Sequence, residues 1–220
     1  MNKCVIVGAG DCSIEFLKKK IEISEGDLCI AADGGFDYLL NVGITPDIIM
    51  GDFDSLTADS TLQEFEKIET VSIKRLPVEK DDTDMLAAIK EGLAKGYQYF
   101  ELYGALGGRF DHAIANIQCL LYLLNRGARG VLIGTDIRIM LIRNESIVFK
   151  AADYEKGRRV SVFAYGQDAV GVTEKGLKYL LDDVVVKQDF PIGVSNQFTG
   201  IDAEISVKEG MLLICVEEKF

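Results

Sequence analysis

The sequence predicts an α/β N-terminal domain with a mainly parallel sheet over residues 1–134, followed by a small all-β sandwich or barrel C-terminal domain over 135–220. Three observations carry that reading. Short β-rich apolar runs alternate with helical periodicity through the first part, the rhythm of a parallel sheet covered by helices. From about residue 135 the pattern changes to short strands at roughly ten-residue spacing with no convincing helix. At 220 residues and 48% hydrophobic, the chain suits one compact unit or two small domains with a buried core, and no long linker interrupts it near Gly134–Asp136.

The elements follow in order. Cys4–Val7 reads as the first strand and the segment from Ser13 as a helix. Leu28–Ala31, Phe36–Leu40 and Ile48–Met50 continue the alternation. A polar amphipathic stretch near Thr61–Lys67 leads to a strand at Val71–Leu76, a helix from about Thr83 to Lys95 and a strand at Tyr99–Tyr103. Gly43, Gly96 and Gly127 stand where helices should stop. The clearest helical period starts near Arg109, where Phe110, Ala113, Ile114, Ile117, Leu121 and Leu124 share one face, and Val131–Ile133 is the next strand. The all-β part is expected to use Ile137–Ile142, Ser146–Phe149, Arg159–Ala164, Ala169–Thr173, Val184–Val186, Glu204–Val207 and Met211–Val216.

Composition excludes several classes. With 24 basic against 35 acidic residues the net charge is −11, a surface that repels phosphate backbones, so nucleic acid is not an expected partner. No apolar stretch approaches the roughly 18–20 residues of a membrane helix, and the run Cys4–Gly10 is too short for an export signal. The five cysteines are scattered and mostly set in apolar runs, which suits reduced core residues of a cytoplasmic protein. Without a CxxC pair and with His112 as the single histidine, a metal site would be built from oxygen ligands, pointing to Mg²⁺ rather than zinc.

Four motifs carry chemistry. Ile48 to Ser55 runs a buried strand into Asp52-Phe53-Asp54 at its C-terminal end, where open α/β sheets bind ligands. Two carboxylates that close repel unless a cation lies between them, and Mg²⁺ accepts one or two carboxylates beside water and phosphate oxygens. An Asp-rich turn capping a helix is the plainer reading. Lys80-Asp81-Asp82-Thr83-Asp84 opens the next helix; capping by Asp82 or Thr83 explains part of it, while Asp81 or Asp84 could complete a metal site and Lys80 neutralise a phosphate. Gly104 to His112 joins a strand to a helix: its glycines, Gly107 among them, let backbone approach a phosphate, and Arg109 can grip one bidentately. Asp111 also reads as first-turn capping, and His112 as a surface or packing residue. Asp33-Gly34-Gly35 can line a nucleotide site or form an ordinary turn. Gly8-Ala9-Gly10 lacks the third glycine of a dinucleotide fingerprint, and no Walker-type phosphate loop is present.

Taken in order, Ala32–Gly35, Pro46-Asp47 with Gly51–Ser55, Lys80–Asp84, Gly104–His112 and Ser195-Asn196-Gln197-Phe198 resemble the thiamine pyrophosphokinase (thiamine diphosphokinase) family across nearly the whole chain. The resemblance implies an enzyme that moves the terminal pyrophosphoryl group of ATP to the hydroxyl of thiamine, releasing AMP and thiamine diphosphate. It implies a homodimer whose thiamine sites lie between the α/β domain of one subunit and the β domain of the other. It also implies Asp52, Asp54 and Asp84 as Mg²⁺ ligands with Asp81 close by, and Asp33, Gly34, Gly107, Arg109 and Asp111 at the nucleotide. Lys80, Ser195 and Asn196 fall on the thiamine side. The chain has no tryptophan to stack on thiamine, and Phe198 is the substitute it offers.

The implied chemistry agrees with these residues, since attack by an alcohol on a β-phosphorus needs charge neutralisation and in-line placement more than covalent catalysis. Asp81, Asp84 and Asp111 all remain open as the proton acceptor. Two other readings stand beside this one: an aspartyl-phosphate phosphatase built on Asp52-x-Asp54, and a non-enzymatic ATP sensor with a β interaction domain.

Overall fold

The computed structural model describes residues 2–53, 65–77 and 81–218. It divides into two compact units, Met1–Thr135 and Asp136–Lys219.

The first unit is an α/β layer structure. Its strands are β1 (Cys4–Val7), β2 (Leu28–Ala32), β3 (Ile48–Gly51), β4 (Ser72–Arg75), β5 (Tyr99–Tyr103) and β6 (Arg129–Ile133). They pair in the order β6-β5-β1-β2-β3-β4, every pairing parallel. β1, β2 and β3 are buried along their whole length, as central strands covered on both faces must be. The helices are α1 (Ile14–Lys20), α2 (Gly35–Val42), α3 (Asp84–Ala94) and α4 (Phe110–Leu124). Ser13 starts α1 by accepting a hydrogen bond from Phe16 N–H at 3.1 Å, and Thr83 starts α3 by accepting one from Leu86 N–H at 3.2 Å. α2 stops at Gly43, whose φ of 77° lets the backbone turn left-handed.

The period of α4 is as expected but its phase is not. Asn116, Cys119, Leu120 and Leu123 form the buried stripe. Phe110 is 79% exposed and Ile114 45% exposed, so the face marked by Phe110, Ala113 and Ile114 turns outward. The helix is apolar on nearly every side, so apolar spacing fixes its period without fixing which face packs.

The second unit is all β. Its strands are β7 (Ile137–Arg143), β8 (Ser146–Phe149), β9 (Arg159–Ala164), β10 (Ala169–Lys175), β11 (Leu181–Val186), β12 (Asn196–Gln197), β13 (Ala203–Ser206) and β14 (Met211–Glu217). Antiparallel pairing builds the layers β12-β9-β14-β7 and β11-β10-β13-β8. β14 alternates half-buried and buried residues along its length, as a strand with one face on the core does. Both layers contribute to one apolar cluster, with Val160, Val162, Leu212 and Ile214 from one and Phe149, Val172, Val186 and Ile205 from the other. β12 is two residues long and carries no alternation that the sequence reveals, while β11 extends the expected Val184–Val186 back to Leu181.

Candidate active site

From β1 the chain steps outward through β2, β3 and β4, then returns to the other side of β1 as β5. The sheet order therefore reverses between β1 and β5, and the loops leaving these two strands must part at their C-terminal ends, which opens a crevice. Gly8–Asp11 leaves β1 and Gly104–Arg109 leaves β5. They are laced together where Gly8 N–H donates to Tyr103 O at 2.9 Å and Gly10 N–H donates to Gly104 O at 2.8 Å. Contact this close requires glycine: a Cβ on Gly10 would stand 2.6 Å from Gly104 O, and one on Gly104 would run into Gly8 O. Over this floor lies a cavity of about 560 Å³.

Separate segments supply the walls. Ala32 and Asp33 come from the end of β2, Asp52 from the end of β3, Asp82 to Met85 from the start of α3, and Arg109, His112, Ala115 and Asn116 from the start of α4. Asp33 is held with φ at 50° while its N–H donates to Met50 O at 2.8 Å, tying the ends of β2 and β3. The structure thus gathers Asp33, Asp52, Asp84, Gly107 and Arg109 around one space. Gly34 caps α2 behind Asp33 without being part of the lining. Asp81 and Asp111 do not line the cavity, and Asp54 and Lys80 lie outside the described residues.

Arg109 is the N-cap of α4 and makes no cap hydrogen bond with its side chain. Its guanidinium instead grips Asp111 through Nε at 3.2 Å and Nη2 at 2.6 Å, both partners well exposed. Each stabilises the other's charge, so the Asp111 carboxyl lies below its ordinary range and the arginine above. Asp11 accepts from Gly108 N–H at 2.8 Å and so fixes the glycine turn. Asp82 is engaged by Lys90 at 2.6 Å. Among the described residues no three His, Cys, Asp or Glu side chains converge closely enough to enclose a metal by themselves.

In the second unit the expected thiamine-side residues behave unequally. Ser195 is exposed with φ at 60°, its N–H donating to Ser161 Oγ at 3.0 Å. Asn196 is 5% exposed and uses both ends of its amide on the protein. Phe198 is 2% exposed, its ring stacked 4.8 Å from Tyr154 and tilted 5.5 Å from Phe149, so it packs in the core of this unit. The exposed aromatic beside Asn196 is Tyr179, at 61%.

Two family models match the chain: the catalytic domain of thiamin pyrophosphokinase over residues 20–132 and its vitamin B1 binding domain over 146–212. Thiamine pyrophosphokinase of Bacillus subtilis is 31% identical over 197 residues, spanning 86% of this chain and 87% of that one. The chain belongs to the thiamine pyrophosphokinase family. A crystal structure of thiamine pyrophosphokinase from Bacillus subtilis superposes with a TM-score of 0.86 at 26% identity, covering 100% of both chains. Yeast thiamin pyrophosphokinase shares the fold, with a TM-score of 0.77 at 16% identity over 99% of this chain and 86% of its own.

Sequence reasoning misses part of this candidate site. Gly8–Asp11 reads in sequence only as a failed dinucleotide fingerprint, yet it forms the cavity floor. Asn116 is 7% exposed and donates from Nδ2 to Ala105 O at 2.7 Å, anchoring the loop after β5; an asparagine inside an apolar helix was the available signal. His112 is exposed, as expected, but borders the cavity. Chemically, the arrangement offers carboxylates on one side, an arginine at a helix start on the other, and a close backbone floor between, a setting for a polyphosphate.

Proposed function

We propose that this chain transfers pyrophosphate from ATP to thiamine in the cavity at the β1/β5 switch, with Mg²⁺ as its metal, the first unit binding the nucleotide and the second carrying the thiamine determinants. The observation that carries the reading is the convergence of Asp33, Asp52, Asp84 and Arg109, from four separate segments, over one glycine floor. That set fits magnesium: it is all hard oxygen, and Mg²⁺ keeps most of its shell for water and phosphate, so it needs one or two carboxylates rather than a protein cage. Asp52, with Asp54 and Asp84, would hold it, and when bound it supplies neutralisation of the phosphate charge.

The protein's own groups do the rest. Arg109 and the amide of Gly107 take phosphate oxygens, and the glycine floor holds the chain of phosphates in line with the incoming hydroxyl. The thiamine hydroxyl oxygen bonds to the β-phosphorus as the bond from that phosphorus to the α-side bridging oxygen breaks, and AMP leaves with that oxygen. The hydroxyl proton passes to Asp84, which lines the cavity, whereas Asp81 and Asp111 do not. On the thiamine side, Tyr179 takes the stacking role for which Phe198 is too buried, beside Ser195 and Asn196, and Lys80 is assigned to thiamine from its place in the sequence motif.

The chain works as a homodimer in the cytoplasm. Supporting a dimer are the apolar residues left exposed, Phe110 on α4 and Tyr179, Leu180, Phe190, Ile192 and Ile201 in the second unit. Supporting the compartment are five free cysteines. No helix of the described residues is long and apolar enough to cross a membrane, and the charge of −11 argues against nucleic acid.

The test is Asp52→Asn, assayed with ATP, Mg²⁺ and thiamine by chromatography of both products. The wild type should release AMP in step with thiamine diphosphate, and the variant should lose kcat by on the order of 10²–10³-fold at saturating substrates. An unchanged kcat would remove Asp52 from the site, and ADP with thiamine monophosphate would make the reaction a simple phosphoryl transfer. Sedimentation at micromolar concentration tests the dimer: an active monomer would refute it.

A further inference from the structure

Among the described residues of the second unit, Glu174, Asn196 and Glu218 are the buried polar side chains. Glu218 lies 3.0 Å from Arg138, but Glu174 has no cation. It is 2% exposed on β10, on the same inward face as Val172, which is 0% exposed. Its Oε2 accepts from Asn196 Nδ2 at 2.7 Å, while its Oε1 has no hydrogen-bond partner. β10 and β12 belong to different layers, so this bond crosses the core from one layer to the other.

A buried carboxylate with an orphaned oxygen is a poor device for stability, since an apolar side chain of similar size would cost less to bury. What it secures is the geometry of Asn196. The Asn196 amide donates to Glu174 and to Tyr179 O at 2.6 Å, and its Oδ1 accepts from Tyr179 N–H at 2.9 Å and Gln197 N–H at 2.9 Å. Both backbone groups of Tyr179 are therefore held by one side chain whose orientation Glu174 sets. The neighbouring residues complete the clamp: Lys178 N–H donates to Gln197 O at 2.9 Å, and Leu177 bridges Phe198. Outside this clamp the Tyr179 ring stands 61% exposed, with Lys178 Nζ 5.3 Å from its centroid.

We propose that Glu174 is a positioning residue for the vitamin: through Asn196 it fixes the Tyr179 backbone, and so the ring on which the cationic substrate stacks, without touching the substrate itself. This rests on the reading that Ser195, Asn196 and Tyr179 form the thiamine side of the site. Glutamate suits the role because its carboxylate can only accept, which forces the Nδ2 end of Asn196 toward it and leaves Oδ1 for the Tyr179 and Gln197 amides.

The experiment measures KM for thiamine and for ATP separately, with thermal melts, in Glu174→Ala, Glu174→Asp, Glu174→Gln, Val172→Ala and Tyr179→Ala. Glu174→Ala should raise the thiamine KM about tenfold with the ATP KM within about twofold, and Glu174→Asp, which keeps the charge but withdraws it by one methylene, should act in the same direction. Glu174→Gln should restore the thiamine KM, because its amide oxygen still accepts from Asn196. Val172→Ala should lower the melting temperature and leave the thiamine KM alone. The proposal is overturned if Glu174→Asp leaves the thiamine KM unchanged, if both KM values move together as in a general loss of structure, or if glutamine fails to rescue. Tyr179→Ala separates the two levels: an unchanged thiamine KM there refutes the thiamine-side reading, whereas a raised one beside a silent Glu174→Asp refutes this proposal alone.

Discussion

Replacing Gly10 by alanine isolates the contribution of the cavity floor. Its φ lies in the ordinary range, so alanine meets no left-handed strain, only crowding. The new methyl would stand 2.6 Å from Gly104 O and 2.9 Å from Leu106 O, both rigid backbone atoms. Reaching ordinary contact means parting the two loops by about 0.8 Å, which stretches the 2.8 Å bond from Gly10 N–H to Gly104 O. Overpacking of this kind costs about 1–3 kcal/mol. Gly43→Ala is the matched control: its methyl would meet nothing within 4 Å, but its φ of 77° brings strain of about 1–2 kcal/mol. The two variants should therefore show similar losses of melting temperature. A misplacement near 1 Å costs as much as about 10²-fold in a positioned reaction, so Gly10→Ala should lower kcat/KM for ATP by at least about tenfold. Gly43→Ala should leave it within about twofold. Steady-state kinetics well below both melting temperatures decide it, and a Gly10→Ala enzyme with normal kcat/KM for ATP would refute the reasoning.

Other outcomes follow from the charges and thiols. Burial pushes the thiols of Cys12, Cys119 and Cys215 up to about 11 and that of Cys29 to about 12, with Cys4 higher still. At pH 7.5 the folded protein should react with a thiol reagent on the order of 10²-fold more slowly than in guanidinium, and rapid titration of one native thiol would contradict this. Burial also raises the Glu174 carboxyl, so the folded state holds its proton more tightly than the unfolded chain. Its stability contribution is therefore largest below the ordinary glutamate range and lost as pH rises through the raised value. Against Glu174→Gln, the wild type should gain melting temperature as the pH is lowered from neutral into the ordinary glutamate range, and a constant difference would count against it. Asp111→Asn should leave the melting temperature unchanged, because the Arg109–Asp111 pair is exposed, and should lower the ATP KM by about two- to fivefold by freeing the guanidinium. A raised KM would mean that the pair serves to aim Arg109.

Much of the fold was legible because its signals are local. β1 to β3 are continuous apolar runs, and Ser13 and Thr83 are caps that accept the hydrogen bonds their residue types suggest. What stayed hidden depends on the rest of the chain. The outward turn of Phe110 cannot be read from a helix that is apolar all round. The burial of Phe198 follows from Tyr154 and Phe149, tens of residues away, and the short strand at Asn196 exists only through its pairing with Val160. The acidic motifs were legible as residue types at strand ends, yet Asp111 and Asp84 look equivalent in sequence; only the structure shows one engaged by Arg109 and the other on the cavity wall.

The topology explains why motifs separated by up to about a hundred residues line one cavity. In a parallel sheet every strand ends on the same side, so each loop after a strand reaches that side whatever its distance along the chain. Only at the reversal between β1 and β5 do neighbouring loops diverge, and there both are glycine, so backbone rather than side chains forms the floor. A floor made of backbone cannot shift by changing rotamer, which suits a reaction whose catalysis is chiefly placement. The groups proposed to respond to a changing charge, by contrast, stand at the rim. Arg109 and Asp111 are both well exposed, so exchanging a carboxylate for phosphate oxygens rearranges side chains without disturbing the packed core. Rigidity at the floor and exchangeable charge at the rim are thus divided between glycine and arginine within the single loop Gly104–Arg109.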